Sequence, residues 1–402
     1  MTRVASKIIE LTEYRPAWFP EEEIPYPVAE SLWRAYGQQV TVEFPSPKTS
    51  RQWQLTAQGW IGHILLTPEI GFALKPKVEL ANIFRMLEYA YRLRSFRFLE
   101  GLIDCQTLAD FYERLAQVLA RRVLERGRKG FYRTYQSENQ SLPYVRGRLE
   151  LRQSIRTPGE VKLRCQYQDQ TGDVEENRIL AWTLFCIART GLCTEPVVAT
   201  VRRAYRALQG LVTLTPYPAE ACLNRLYNRL NEDYEPMHAL CRFFLEQSGP
   251  SHDQGDRTML PFLVDMARLY ELFVAEWLKA HLPAHWLLKA QERVQIGAAS
   301  SLHFEIDLIL YDRQTGAARC VLDTKYKTPP QPSTEDVAQV VTYAEAKGCR
   351  EAVLVYPTAL PTPFDEVIGD IRVRGATFDL AGELETAGQD FLNGLLHEDG
   401  AR

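Results

Sequence analysis

Two strand-like runs joined by a short turn constrain this chain more than anything else in it. Phe304-Glu305-Ile306-Asp307-Leu308-Ile309-Leu310 reads as a strand carrying an acid among apolar residues, and Val321-Leu322-Asp323-Thr324-Lys325 reads as a second. The turn Asp312-Arg313-Gln314-Thr315-Gly316 lies between them, so the runs are predicted to pair as a β-hairpin. Alternate side chains share one face of a strand, which puts Asp323 and Lys325 on the same side and Thr324 on the other. The hairpin therefore brings Asp307, Asp323 and Lys325 together at one strand end. Downstream, Gln339 and Tyr343 stand four residues apart in a helix predicted over Thr334–Lys347, so they face one way.

Two carboxylates beside a lysine are what metal-dependent phosphodiester hydrolysis requires. Asp307 and Asp323 offer hard oxygen ligands for Mg²⁺, which usually keeps several waters and takes one or two protein carboxylates. Such a metal lowers the pKa of water and offsets charge developing on the phosphate. Lys325 can orient or help deprotonate that water, or stabilise the phosphate's negative charge.

The pattern Asp307, Asp323, Lys325, followed by Gln339 and Tyr343, resembles the PD-(D/E)xK nuclease superfamily. The wording Leu322-Asp323-Thr324-Lys325-Tyr326-Lys327 is similar to the McrC family, the nuclease subunit of McrBC-type modification-dependent restriction systems. Further stretches carry that resemblance: Gly59-Trp60-Ile61-Gly62-His63-Ile64 with Leu74-Lys75-Pro76-Lys77-Val78, the basic and aromatic run Tyr132 to Leu149, and Cys165 to Leu180. It implies a helix acid at the metal site, and Glu271 in Leu269-Tyr270-Glu271-Leu272-Phe273-Val274 occupies the matching place. The metal ligands would then be Asp307, Asp323 and Glu271, with Mg²⁺ expected and Mn²⁺ as the alternative. One departure stands out, since Ile306 and not proline precedes Asp307. The resemblance also implies an McrB-like AAA+ GTPase hexamer as partner and modified double-stranded DNA, of the methylcytosine type, as substrate. No G-x-x-x-x-G-K-[ST] phosphate loop occurs, so GTP enters only through that partner. Two other readings stay open: a stand-alone nuclease of DNA repair or defence, and a non-catalytic adaptor of the motor.

The rest of the chain reads as a multidomain α/β protein. Short strand signals at Ile8–Thr12, Gln39–Phe44, Trp53–Thr56, Gly59–Leu66 and Gly71–Val78, punctuated by prolines, predict a β-rich N-terminal module over residues 1–80 that docks the partner. Residues 81–247 should be mostly helical, with helices over Asn82–Arg94, Leu108–Arg126 (capped by Gly127), Asp173 to about Thr190 (capped by Asp173), Val197–Leu211 and Tyr234–Glu246. Ser248–Thr258 is a polar break. Residues 259–402 are then a restriction-endonuclease-like α/β/α domain, opening with an amphipathic helix over Phe262–His281 and running α-β-β-α-β-β-α.

Charge is uneven. The net charge is −4, yet residues 81–164 hold 17 Lys/Arg against 9 Asp/Glu. Within that stretch Arg133, Arg146 and Arg148 alternate with aromatic residues, the mixture expected where a chain meets a phosphate backbone, and Arg128 and Lys129 join them as DNA-binding candidates although positive charge also suits a helix C-terminus. The competing reading pairs these arginines with acids such as Glu138 and Glu150. The cysteines and histidines are scattered without C-x-x-C spacing, which argues against a zinc site and for reduced, buried thiols. With no run of 18 apolar residues and no apolar signal core at the N-terminus, no membrane contact is expected and the expected compartment is the cytoplasm.

Overall fold

The computed structural model describes residues 7–67, 69–93, 105, 107–149, 162–247, 252–254, 257–259, 261–295, 303–327 and 329–396. They fall into two compact units, one of residues 112–246 and one that joins residues 3–111 to residues 247–402. The first eighty residues therefore do not stand apart as the sequence suggested.

The chain opens with strands β1 (Lys7–Thr12) and β2 (Ala17–Pro20), helix α1 (Tyr26–Tyr36), strands β3 (Val40–Glu43), β4 (Gln52–Ala57), β5 (Trp60–Leu65) and β6 (Ile70–Lys75), and helix α2 (Leu80–Ala90). Five of these strands were legible within a few residues; β2 and α1 were not. Helix α1 starts on Pro27 in its first turn and buries Val28, Ala29, Leu32 and Tyr36, a helical stripe hidden among prolines. Strands β2, β4 and β3 form one antiparallel sheet, while β1 pairs parallel to β6, which pairs with β5. In β4 the alternation is strict, with Trp53, Leu55 and Ala57 buried in a core shared with Leu32, Tyr36 and Phe72.

Helix α3 (Leu108–Lys129) follows, and its predicted stripe of Leu108, Phe111, Tyr112, Leu115, Leu119 and Val123 is buried throughout. It runs through Gly127, so that glycine is not a cap; Gly130, with φ +92°, takes the turn after it. Next come β7 (Thr134–Leu142), β8 (Arg148–Leu149) and β9 (Leu163–Thr171), ordered β7-β9-β8 and antiparallel. Gly147 turns the chain at φ +70°, and a Cβ there would lie 2.4 Å from the Gln166 carbonyl oxygen. Helices α4 (Glu175–Ile187), α5 (Glu195–Gln209) and α6 (Tyr234–Glu246) complete this unit. Asp173 does not cap α4, which starts after Val174. Its carboxylate instead accepts from Arg178 Nε at 2.6 Å and from the Thr213 amide and hydroxyl at 2.9 Å each. Asn177 does tie α4 to the basic segment: its Nδ2 donates to the Tyr132 and Gly172 carbonyls, and its Oδ1 accepts from Tyr234 OH.

Of the polar break Ser248–Thr258, residues 248–251, 255 and 256 lie outside the described residues; β10 (His252–Gln254) pairs antiparallel with β11 (Arg257–Met259). Strand β12 (Phe262–Asp265) and helix α7 (Met266–His281) replace the single helix expected from Phe262. The reason is local. Asp265 Oδ1 accepts from the Ala267 and Arg268 amides, which starts the helix there, and Phe262–Val264 pair with β5. Gly62 makes that pairing possible: at φ +130°, a Cβ on it would sit 2.1 Å from the Phe262 carbonyl oxygen. Strand β12 thus adds a fourth member to the β1-β6-β5 sheet, and Leu263 enters the N-terminal core. This is why residues 3–111 and 247–402 form one unit.

Strands β13 (Trp286–Gln295), β14 (His303–Asp312) and β15 (Ala318–Thr324), helix α8 (Thr334–Lys347), strands β16 (Glu351–Tyr356), β17 (Asp365–Ile368) and β18 (Ile371–Thr377), and helix α9 (Leu384–Leu396) follow. Their six-stranded sheet has the order β13-β14-β15-β16-β18-β17. The hairpin β14–β15 is antiparallel as predicted, whereas β15, β16 and β18 run parallel. All six residues of β16 are buried, as expected of a central parallel strand. Ile306, Ile309, Val321, Val340, Ala352 and Leu354 share one core beneath the hairpin.

Candidate active site

The hairpin is pinned at both ends. At the turn, Asp312 Oδ1 accepts from the Gln314 and Thr315 amides at 2.8 Å, and Gly316 takes φ +72°. At the open end, β15 stops at Thr324, and the Lys325 amide still donates to the Val355 carbonyl of β16 at 2.8 Å.

Asp307, Asp323 and Lys325 meet at that open end. Lys325 Nζ lies 2.6 Å from Asp323 Oδ2, so the two share a face. Asp323 is 1% exposed, and its Oδ2 has no aligned hydrogen bond. Asp307 Oδ2 accepts from the Thr324 amide at 3.1 Å and from the Thr324 hydroxyl at 3.2 Å. Thr324, expected on the far face, thus touches the acid; the strand ends at this residue, and the alternation ends with it.

The predicted helix pair is also brought in. Lys325 Nζ donates to Gln339 Oε1 at 3.0 Å, and Gln339 Nε2 donates to Tyr343 OH at 2.8 Å. This relay fixes the ammonium from the α8 side. Asp336, which sequence reasoning missed, lies 3.7 Å from Lys325 Nζ and 2.5 Å from Lys327 Nζ. Its signal was the Ser333-x-x-Asp336 spacing at a helix start, where the Ser333 hydroxyl accepts from the Asp336 amide at 3.2 Å.

Glu271 stands on α7 with both carboxylate oxygens 3.0 Å from Arg268 Nη1 and one 3.0 Å from Gln291 Nε2. Gln291 falls between the paired positions Ala290↔Leu308 and Glu292↔Ile306, opposite Asp307, and takes φ +53°. A left-handed backbone at a non-glycine residue costs about 1–3 kcal/mol and clusters at functional sites. Here it sits in the strand position facing Asp307, with its side-chain amide bonded to Glu271.

The electrostatics follow from the geometry. Burial, with the Asp307 charge second, pushes Asp323 up to about 6, and Lys325 only partly opposes this. Burial and the same Asp307 charge push Glu271 up to about 7. Asp307 itself is raised by burial, against its bonds from Thr324. Three acids therefore crowd one another in a poorly solvated place. Among the described residues, no group of three or more His, Cys, Asp and Glu side chains is arranged to hold a metal ion. Asp307 and Asp323 remain as a carboxylate pair, which suits Mg²⁺ with its retained waters, and Asp323 Oδ2 is ion-paired with Lys325. Glu271 is occupied by Arg268 and Gln291.

A second missed group lies behind the site. Tyr326, next after Lys325, donates from its hydroxyl to Glu13 Oε2 at 3.3 Å, and Glu13 is 1% exposed. Lys77 Nζ sits 4.6 Å above the Tyr326 ring and 5.0 Å above that of Tyr14. Residues just beyond the ends of β1 and β6 thus grip the residue after Lys325, a contact no linear motif reveals.

The basic candidates belong to the other unit. Arg128 and Lys129 are exposed at the end of α3, and Arg133 and Arg148 are exposed beyond it. Arg146 is spoken for: it pairs with Asp169 at 2.7 Å and lies 4.0 Å over the Tyr167 ring. The acid it meets is Asp169 rather than Glu138, and Glu150 lies outside the described residues.

A family model described as "McrBC 5-methylcytosine restriction system component" matches residues 55–357, which hold the acid cluster and the basic segment. The chain belongs to this family. The type IV methyl-directed restriction enzyme EcoKMcrBC of Escherichia coli (strain K12) is 25% identical over 215 residues, 52% of this chain and 61% of that protein. The match thus spans about three fifths of the relative's length. Among solved structures, a half-complex from a tetradecameric assembly of Thermococcus gammatolerans McrB AAA+ hexamers with bound McrC is similar at a TM-score of 0.56 and 17% identity. That likeness covers 97% of this chain and 100% of the other, and at this identity it is a likeness of fold. No described helix is long and apolar enough to cross a membrane.

Proposed function

We propose that this chain is the metal-dependent DNA endonuclease subunit of an McrBC-like restriction system, with its C-terminal sheet acting as a PD-(D/E)xK nuclease domain. The observation that carries this reading is the convergence of Asp307, Asp323 and Lys325 at one strand end, with Lys325 Nζ 2.6 Å from Asp323 and 3.0 Å from Gln339. Asp307 and Asp323 would hold Mg²⁺, or Mn²⁺ in its place, with Glu271 nearby. When bound, the metal supplies a low-pKa water and offsets charge on the scissile phosphate.

The chain's own residues do the rest. Lys325, held by Asp323, Asp336 and Gln339, presents an ammonium where negative charge grows on the phosphate. Gln339 and Tyr343 fix its position. The Thr324 amide and hydroxyl hold Asp307 still. Exposed Arg128, Lys129, Arg133 and Arg148 would contact the DNA backbone. An McrB-like AAA+ GTPase would activate cleavage and supply the GTP hydrolysis for which this chain has no phosphate loop; the EcoKMcrBC relative is named a methyl-directed enzyme, which makes methylated duplex DNA the substrate to test.

The test is cleavage of methylated and unmethylated plasmid with GTP, Mg²⁺ and the AAA+ partner. Asp307→Ala and Lys325→Ala should each lower cutting about 100-fold or more, since each removes an electrostatic group at the reacting phosphate. Full cutting by either variant would remove this hairpin from the active site.

A further inference from the structure

We propose that a cavity in the 112–246 unit binds a nucleotide phosphomonoester, either a free deoxynucleotide or the phosphorylated end of a DNA strand. The cavity has a volume of about 590 Å³ and lies between the end of α3 and helix α5. Three arginines line it, Arg128, Arg133 and Arg203, with an apolar wall that includes Leu124, Phe131 and Leu211. No acidic residue lines it.

The arginines are the argument. Several guanidiniums of this unit are tied down, Arg126 to Asp233, Arg146 to Asp169, Arg178 to Asp173, Arg225 to Glu175 and Glu176, and Arg242 to Glu246; those left exposed at Arg121, Arg148, Arg206 and Arg229 do not line the cavity. The side chains of Arg128, Arg133 and Arg203, all exposed, make no ion pair or hydrogen bond among the described residues. Three like charges around one concavity repel one another, and an anion relieves this; a planar fork of donors suits the terminal oxygens of a phosphate. Only a phosphomonoester end offers three such oxygens, whereas a strand interior offers two. Size adds a second constraint. The volume falls in the range of small-molecule sites and far exceeds what phosphate alone would fill. The apolar wall, with the Phe131 ring in it, gives the sugar and base a surface to cover.

This goes beyond backbone contact by the exposed basic patch, and it does not depend on the nuclease reading. The test uses the full chain carrying Asp307→Ala, in EDTA, so that nothing is cut. Binding of a fluorescent single-stranded DNA 10-mer is measured by anisotropy, with a 5′-phosphate, a 3′-phosphate or hydroxyl ends, and with dCMP or inorganic phosphate as competitor. The expected result is about tenfold tighter binding of one phosphorylated end than of hydroxyl ends, the effect of one or two charge-assisted hydrogen bonds. Arg203→Ala should remove that preference while leaving the hydroxyl-ended strand within about twofold, and Arg203→Lys should restore part of it. Competition by dCMP without a strand-end preference assigns the site to free nucleotides; a preference without dCMP competition assigns it to strand ends. The absence of both a strand-end preference and dCMP competition overturns the proposal, as does inorganic phosphate competing as well as dCMP, which would mean a simple anion site. Equal loss for every strand in the arginine variants would also overturn it.

Discussion

Replacing Asp323 by asparagine should make the metal-free protein more stable while ending its activity. Asp323 is 1% exposed, and burial with the Asp307 charge raises its pKa from 3.8 to about 6. That rise already includes the attraction of Lys325, so it measures a net penalty on the charged form. At about 1.4 kcal/mol per unit, roughly two units amount to about 3 kcal/mol. The sign follows from linkage. An acid whose pKa is raised on folding holds its proton more tightly in the folded state, so its contribution is full below about pH 4 and is lost as pH rises through about 6. Above that the penalty stays constant. The replacement amide cannot ionise and escapes it, and Lys325 keeps Gln339 at 3.0 Å and Asp336 at 3.7 Å. Urea denaturation in EDTA at pH 7.5 should therefore find Asp323→Asn more stable by about 1–3 kcal/mol, the lower figure allowing for an incompletely bonded buried amide. At pH 4 the difference should nearly vanish. Adding Mg²⁺ should raise the midpoint of the wild type and not that of the variant. A variant less stable than wild type at pH 7.5 in EDTA would refute the view that this carboxylate is held against its own solvation.

Two further perturbations probe how the site is built. Gly62→Ala should cost at least about 3 kcal/mol, because its Cβ would press within 2.1 Å of the Phe262 carbonyl at a φ of +130° and break the β5–β12 pairing; an unchanged denaturation midpoint would mean that β12 does not depend on this close approach. Tyr326→Phe removes the hydroxyl that donates to buried Glu13 and leaves the ring under Lys77. It should lower the cleavage rate several-fold while leaving DNA affinity unchanged, and Glu13→Gln, which keeps an acceptor, should lower it less; equal loss of rate and affinity would mark a general loss of structure.

What the sequence determined by itself is local or periodic. The hairpin, the shared face of Asp323 and Lys325, and the helix carrying Gln339 and Tyr343 follow from a two-residue period, a turn and a helical spacing of four, and each recurs in the structure. Helix α8 has the boundaries the pattern predicted, because a Ser333 cap and a left-handed Gly348 mark them. Long-range pairing had no such signature. Phe262–Val264 continue an apolar helix pattern smoothly, and only the strand partner at Ile61–His63, some two hundred residues earlier, turns them into a strand. For the same reason nothing in the sequence joins Glu13 and Lys77 to Tyr326 until the fold lays them against it. Glu271 was placed beside the acids by resemblance, but its engagement by Gln291 depends on a strained residue in an edge strand that half-exposed side chains made unreadable. Periodicity reports which face of an element is apolar. Which element meets that face is decided by packing, and packing here joined the two ends of the chain.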